Sequence, residues 1–243
     1  MMTKTSVFAG IVAAAFALSC GPSNSGPVTG AKTPVIDNVA ESAHDLFPLT
    51  EGNDWTYSSQ RRQSFPGRPS QTDVSDRVLM VTKVTETGQG TDAEIEVTGE
   101  DAADTLLLLY RITDDGIYQL GHRRGDDKLM YSEPFLLLPW PIKEGETFSW
   151  EGNGPLLGTG AVGPMKTTVL VRGYIEVDTH TDRYKACRVE VTETYTFDDV
   201  EYNTAKVFWF APRVGLVRYN ESVRADTGAA HEALLELTSH TIK

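Results

Sequence analysis

The residues of this sequence that could carry out chemistry are few, and their spacings are incomplete. Residues 158–163 match the Gly-x-Gly-x-x-Gly pattern letter for letter. That pattern binds a dinucleotide only where a helix begins behind the glycines and points its N-terminus at the pyrophosphate. Here Pro164 follows, and residues 165–171 continue as a strand. We therefore predict a flexible loop at this position and no bound dinucleotide.

Metal-binding and acid–base patterns are also incomplete. His231 and Glu232 begin like a zinc-protease motif, but Leu235 stands where the second histidine is needed. The other histidines are far apart, and two cysteines cannot complete a zinc cluster. Three pairs of neighbouring aspartates lie in or beside predicted turns, where aspartate commonly bonds to the local backbone: Asp114-Asp115, Asp126-Asp127 and Asp198-Asp199. We expect a protein that is not an enzyme, with no catalytic residue, no metal and no cofactor.

The charge balance disfavours nucleic acid as a partner. Acidic residues outnumber basic ones 34 to 22, and the formal net charge is −12. Such an excess repels phosphate backbones. The dense cationic spots are Arg61-Arg62 and the run His122-Arg123-Arg124. That run fits either an anionic partner or the ordinary solubilising residues of a hairpin end.

Cys20 is the residue with the clearest predicted chemistry. Residues 7–18 form an uncharged apolar run of about 12 residues, short of the roughly 20 that span a bilayer. The sequence Ala17-Leu18-Ser19-Cys20 resembles the bacterial lipobox, although Ala17 stands where leucine is usual. The resemblance implies that a diacylglycerol is attached to the Cys20 sulfur, that cleavage makes Cys20 the first residue, and that its amine is acylated. An ordinary secretory signal with an incidental cysteine is the alternative.

The lipobox interpretation predicts a signal peptide at residues 1–19, a lipidated cysteine with a flexible tether at 20–45, and one all-β domain at 46–243. The tether is rich in glycine, proline and serine, and would reach roughly 25–30 Å. By analogy with lipoprotein sorting, Gly21 after the cysteine favours the outer membrane. We therefore expect a location in the bacterial cell envelope, facing the periplasm, with the membrane bound through the lipid anchor.

The pattern from residue 46 onward indicates strands joined by short turns. Residues 94–98 alternate between polar and apolar side chains, and Cys187, Val189 and Val191 do the same. Asp115-Gly116 is typical of a hairpin turn. We predict about ten or eleven strands, in a curled antiparallel sheet or half-barrel. Cys187 shares a strand face with two valines, so we predict a buried, reduced thiol.

One turn device occurs twice. Residues 48–57 and 141–150 both give proline, two residues, Glu-Gly, two residues, and then two aromatic side chains on one strand face. The proline ends the preceding segment, and the glycine is free to take a positive φ. The repeat suggests two similar halves, each of four to six strands.

Three segments resemble a family of bacterial exported lipoproteins of unknown function. Residues 47–57 resemble its Phe-Pro-Leu-x-x-Gly-Asn-x-Trp-x-Tyr opening, residues 184–189 its aromatic-x-x-Cys-x-Val strand, and residues 208–217 its Ala-Pro-x-Val-Gly-Leu-Val segment. Arg213 stands where that pattern has glycine, and residues 180–183 replace its Pro-Ala-Gly-Thr turn. The resemblance implies a half-barrel similar to lipoprotein localisation factors, and it implies no catalytic residues.

Three apolar runs should present side chains on both faces of a sheet: residues 106–109, 135–138 and 207–210. The second face must then be covered by the protein itself, by a partner or by a hydrophobic ligand. We expect an apolar groove lined by Leu107, Leu109, Phe208 and Phe210. Two functions follow as hypotheses. The chain binds or carries a hydrophobic small molecule in this groove, or it is an assembly component that binds a partner envelope protein.

Overall fold

The computed structural model describes residues 34–99, 106–156 and 160–243, and Cys20 lies outside them. These residues form thirteen strands and one short helix. In chain order the elements are β1 (Val35–Ile36), α1 (Ala43–Leu46), β2 (Asp54–Ser64), β3 (Gln71–Thr87), β4 (Gly90–Thr98), β5 (Leu106–Thr113), β6 (Gly116–Arg124), β7 (Asp127–Pro139), β8 (Thr147–Leu156), β9 (Ala161–Asp178), β10 (Arg183–Phe197), β11 (Val200–Ala211), β12 (Gly215–Ala225) and β13 (Ala230–Thr241).

The strands form one sheet that curls into a nearly closed barrel. Its order is β7-β6-β5-β4-β3-β2-β13-β12-β11-β10-β9-β8, with every neighbouring pair antiparallel, while β1 pairs in parallel with β10. This confirms the predicted all-β class and curled antiparallel sheet. The strand count was predicted too low because β1 is only two residues long and because Gly152, Gly154 and Pro155 break the alternation of β8. No helix in the described part of the chain is long and apolar enough to cross a membrane.

The repeated turn device has the same geometry in both places. Gly52 and Gly145 have φ values of 81° and 80°. The Gly52 N–H donates to the carbonyl oxygen of Val81 at 2.8 Å, and the Gly145 N–H donates to that of Val171 at 2.8 Å. Each turn therefore fastens the start of one strand, β2 or β8, to the strand that follows it.

The β-bulges repeat as well. Thr82 is the extra residue where β3 pairs with β4, and Arg172 is the extra residue where β9 pairs with β10. Likewise Leu120 is extra between β5 and β6, and Val217 between β11 and β12. The barrel thus consists of two six-stranded meanders, β2–β7 and β8–β13, with bulges at matching positions. This agrees with the two similar halves suggested by the sequence.

The segment before residue 46 is packed against the barrel from residue 35 onward. Val35 lies opposite Arg183 of β10, and the side chains of Ala43 and Leu46 are buried. The Ser42 hydroxyl caps α1 by accepting the backbone N–H of Asp45 at 3.3 Å. The folded part therefore begins earlier than the predicted boundary at 45. Composition hides this because the segment forms its strand by adding to β10 and not by a pattern of its own.

The barrel end that carries α1, here called the plug end, contains an aromatic core. The Phe47 ring lies 5.6 Å from Trp55, 5.3 Å from Tyr110 and 5.5 Å from Phe210, measured between centroids. Trp55 is fully buried and donates its indole N–H to the carbonyl of Val214. Tyr57 is buried beside it. The aromatic pair after the first turn is therefore part of the core.

The turn that follows β11 contains Arg213 at a φ of 63°, a conformation that favours glycine. Its backbone N–H donates to the carbonyl of Asp45, and its exposed guanidinium lies 3.5 Å from Glu41. The contact between the Arg213 and Asp45 backbones holds α1 against the plug end. Because it involves no side-chain atom, the turn does not depend on the arginine side chain.

Arg213→Gly and Arg213→Ala both lose the guanidinium, and they differ only in the Cβ at a positive φ. We expect the free energy of unfolding of the glycine variant to be about 1 kcal/mol higher than that of the alanine variant. The Cβ of alanine is strained at a positive φ, and this strain outweighs the greater conformational freedom that glycine has in the unfolded chain. Urea denaturation of the two variants measures the difference. An alanine variant as stable as the glycine variant would contradict the strain assignment.

Candidate functional site

The four residues of the expected groove do not lie together. Phe208 and Phe210 point into the barrel, 4% and 1% exposed, with their rings stacked at 6.0 Å. Leu107 and Leu109 lie on the outer wall, opposite two glutamates of β4. They are 8% and 9% exposed because neighbouring side chains cover them. In the four-leucine run the residues that face the core are the other two, Leu106 and Leu108.

The space next to Phe208 and Phe210 is occupied by the protein's own side chains. Phe210 packs against Phe47 of the plug end, and the ring of Phe208 lies 4.9 Å from that of Tyr219. Val189, opposite Phe208 on β10, is fully buried in the same core. The sequence left open whether the protein itself, a partner or a ligand covers these side chains. The structure shows that the protein itself covers Phe208 and Phe210.

Farther from the plug end, the barrel interior, or lumen, holds a set of charged residues. Lys206 Nζ lies 2.8 Å from Glu193 Oε1 and 2.7 Å from Oε2, with side-chain exposures of 13% and 2%. His231 Nε2 lies 3.6 Å from Glu221 Oε1, and the Tyr219 hydroxyl donates to Glu221. Lys206, Glu193, Glu221 and His231 are called the charged cluster below.

The ionisation of the cluster follows from burial and from the neighbouring charges. Burial alone would lower the pKa of Lys206, but the attraction of Glu193, followed by Tyr131 and Glu221, raises it above the ordinary value. Burial raises the pKa of Tyr131, and the Glu193 carboxylate adds to that rise. Lys206 is therefore protonated at neutral pH and has no lone pair to donate. The arrangement suits ion pairing inside the barrel and not attack by a lysine nucleophile.

A second group of charged and aromatic residues lies on the outer wall. Arg188, Trp209, Arg218 and Glu236 face one another directly across β10, β11, β12 and β13, and form what we call the outer row. The guanidinium carbons of Arg188 and Arg218 lie 5.6 and 5.5 Å from the centre of the Trp209 ring. Arg218 Nη1 lies 3.5 Å from Glu236 Oε1. Two cation–π contacts and an ion pair thus connect four strands.

The tip of the β9–β10 hairpin reaches the same wall. His180 Nε2 at the tip lies 3.3 Å from Glu236 Oε2. A concavity of about 230 Å³ opens between the tip and the wall, and its lining is Ser58, Gln60, Val74, His180, Leu234 and Glu236. Val74 is strongly exposed there. The outer row therefore borders a groove that a polypeptide side chain could enter.

The cationic run around residue 123 does not form one patch. His122 faces inward, and its pKa is lowered by burial first and then by Arg124 and Lys206. Arg123 faces outward, 3.5 Å from Glu94 Oε2. Neighbouring residues of a strand point to opposite faces, so adjacency in sequence separates these charges in space.

Of the remaining candidates, the third aspartate pair lies where the sequence placed it, and the glycine-rich motif does so only in part. Asp198 and Asp199 form the β10–β11 turn with φ values of 50° and 63°. Gly160 is also in a turn, but β9 begins at Ala161, so residues 161–163 lie in a strand and the predicted loop is wrong for that half of the glycine-rich motif. Within the described ranges no cluster of three or more histidine, cysteine or acidic side chains could hold a metal. Cys187 is buried and free, and burial raises its pKa to about 12.

The charged cluster and the outer row were missed at the sequence level. A signal for the first was present, since Lys206 precedes Phe208 by two residues and therefore shares its inward face. The outer row had no such signal. Its members come from four strands, and only the strand register places them side by side.

Lys206→Met should lower the free energy of unfolding by about 3–5 kcal/mol, because it leaves the Glu193 carboxylate buried without a partner. Adding Glu193→Met should recover most of that loss, since an apolar pair of similar size removes the uncompensated charge. Urea denaturation at pH 7 measures both. Because the folded state raises the pKa of Lys206, the ion pair's contribution is fully present below the unfolded-state pKa and is lost as pH rises through the folded-state pKa. A double variant no better than the single one would contradict this account.

Comparison with known proteins gives two structural likenesses. No family model matches the chain, and no curated protein matches it. A protein from Bacteroides fragilis, described as exported and as having a YmcC-like fold, is 14% identical over 80% of this chain and 98% of its own, with a TM-score of 0.47. A protein from Parabacteroides distasonis, described as a lipoprotein, is 12% identical over 79% and 98%, with a TM-score of 0.34. No conclusion about function rests on either likeness.

Proposed function

We propose that this chain is a non-catalytic lipoprotein of the bacterial cell envelope that binds a partner envelope protein through the outer wall of its barrel. The observation that carries the proposal is the outer row. Trp209, 8% exposed, lies between two arginines on the outside of the barrel, and Glu236 at the end of the same row lines an open groove.

The proposed anchor is Cys20, at the end of the uncharged run and behind small residues. The chain enters the barrel along β1, beside the β9–β10 hairpin. The plug end is then the part of the barrel that the tether joins to the bilayer. Gly21 is the basis for proposing the outer membrane, with the barrel in the periplasm.

The carrier hypothesis has less support. It needs an apolar space beside Phe208 and Phe210, and that space is filled by Phe47, Tyr219 and their neighbours. It also needs Leu107 and Leu109 on the same surface, and they lie on the opposite face of the wall. A filled interior leaves the outside of the barrel as the surface for recognition.

The composition of the outer row fits protein recognition. Tryptophan and arginine are the residues most enriched among those that dominate binding energy at protein interfaces. Arg172 and Arg188 both contact Glu190, at 2.9 and 2.5 Å, and Arg218 contacts Glu236. Three arginines thus contact two carboxylates in this part of the wall, although the whole chain carries −12. An acidic surface on the partner would complement it.

Anchoring can be tested independently of the partner. Cys20→Ser should leave uncleaved precursor, whereas the natural chain should carry a diacylglycerol and an N-terminal acyl group and partition into detergent. Intact-mass measurement distinguishes the two products. A natural chain that begins downstream of Cys20 without lipid would contradict the anchor.

Partner binding can be tested with a photoreactive amino acid at Val74, which lines the groove and is strongly exposed. In intact cells the lipidated chain should give one discrete adduct with another protein. The same group at Thr194, which is exposed on β10 far from the groove, is the matched control. Replacing Arg188 and Arg218 by glutamine should reduce the Val74 adduct by about tenfold, as loss of interface arginines does. Equal adducts from both positions would count against this surface.

A further inference from the structure

The two junctions between the halves of the barrel are built differently. At one of them, β13 and β2 pair from Ala230 opposite Ser64 to Thr241 opposite Asp54. At the other, β7 and β8 are the two ends of the strand order, and no backbone ladder joins them in the described chain. This second junction is called the seam.

Aromatic side chains close the seam. The ring of Tyr131 on β7 lies 5.5 Å from Phe135 and 5.4 Å from Trp150 of β8, and Phe135 lies 5.9 Å from Trp150. Two of the three contacts are edge-to-face. The three rings therefore form one mutual contact, which takes the place of the ladder found at the other junction.

Close packing of β7 side chains on the β8 backbone completes the closure. The Asn153 N–H donates to the Ser132 hydroxyl at 3.1 Å. A Cβ added at Gly152 would lie 2.7 Å from that hydroxyl, and one added at Gly154 would lie 2.7 Å from the Tyr131 ring. The glycines let these side chains lie directly on the neighbouring strand.

The part of β7 that makes these contacts is also not regularly paired with β6. Met130 lies opposite Gly121, but the next matched residue is Phe135, opposite Gln119. Residues 131–134 therefore have only Leu120 across from them. Pro134 has no backbone N–H to contribute. Tyr131 and Ser132 can thus move without breaking a regular ladder on either side.

The seam lies next to the charged cluster. Tyr131 is partly buried and interacts electrostatically with Glu193 and Lys206. Displacing its ring would let water reach an ion pair that is otherwise shielded. No other pair of adjacent strands in the described barrel order lacks a backbone ladder.

We propose that the seam is a lateral gate: Tyr131, Ser132 and Trp150 separate while the rest of the barrel stays folded, and the opening exposes Lys206 and Glu193 to solvent. The gate does not depend on the proposed partner or on the lipid anchor. Separation costs side-chain contacts and one hydrogen bond, whereas parting any other junction costs a backbone ladder. Local opening of this kind occurs where few backbone bonds are lost.

Amine labelling of Lys206 tests the gate. The mature lipidated chain, held in detergent, is reductively methylated, and peptide masses report each lysine. Lys166, whose side chain is 74% exposed, is the internal reference. Ser132→Cys with Asn153→Cys places a disulfide across the seam, while Gln60→Cys with Leu234→Cys places one across the directly opposed positions of β2 and β13. Cys187 is buried and stays unreactive.

The seam disulfide should slow labelling of Lys206 by about tenfold or more, and reduction should restore it, because only local opening is blocked. The β2–β13 disulfide should leave the rate within about twofold, since it stabilises the folded barrel but does not hold the seam. In low urea the natural chain's labelling rate should be nearly flat, because a local opening exposes little surface.

Three results would overturn the gate. Equal slowing by both disulfides would mean that Lys206 is labelled through global unfolding. A labelling rate that rises with urea as steeply as global unfolding would mean the same. A Lys206 that reacts no faster in the natural chain than in the chain with the seam disulfide would show that the seam does not open.

Discussion

A sheet that curls on itself must fill its own interior, and most of this structure follows from how that is done. The alternating side chains of twelve strands converge on one lumen. At the plug end Phe47, Trp55 and Phe210 exclude water. Farther along, the lumen is filled partly by charge, where Lys206 is neutralised by Glu193. An unpaired charge at this depth would be too costly, so each of these two residues requires the other.

The duplication explains why similar strands carry different chemistry. The matched bulges make Trp209 and Phe210 the equivalents of Leu109 and Tyr110. Counting along the strands then makes Lys206 the equivalent of Leu106. The first half has leucine at both positions, Leu106 inside the barrel and Leu109 outside. The second half has Lys206 inside and Trp209, between two arginines, outside. The features that suit recognition are therefore concentrated in β8–β13.

Sequence reasoning reached the fold class, the repeated turn and the burial of Cys187, because alternation and turn residues are local signals. The sequence did not predict which side chains of different strands lie next to one another. Leu107 and Phe208 are both apolar members of apolar runs, yet one lies outside and the other inside. A run of consecutive apolar residues does not show which of its two faces points inward, and only the register with the neighbouring strands decides this. The outer row is invisible in the sequence for the same reason.

The difference between the two junctions, by contrast, corresponds to a difference in the proline and glycine content of the strands that meet there. Neither β2 nor β13 contains proline, and they pair along almost their whole length. β7 contains Pro134 and β8 contains Pro155, each of which removes a backbone donor at an edge. Gly152 and Gly154 then leave room for Tyr131 and Ser132 to cover the gap. Each proline leaves one position without a backbone donor, the glycines let side chains cover the gap, and the barrel keeps one junction that has no backbone ladder to break.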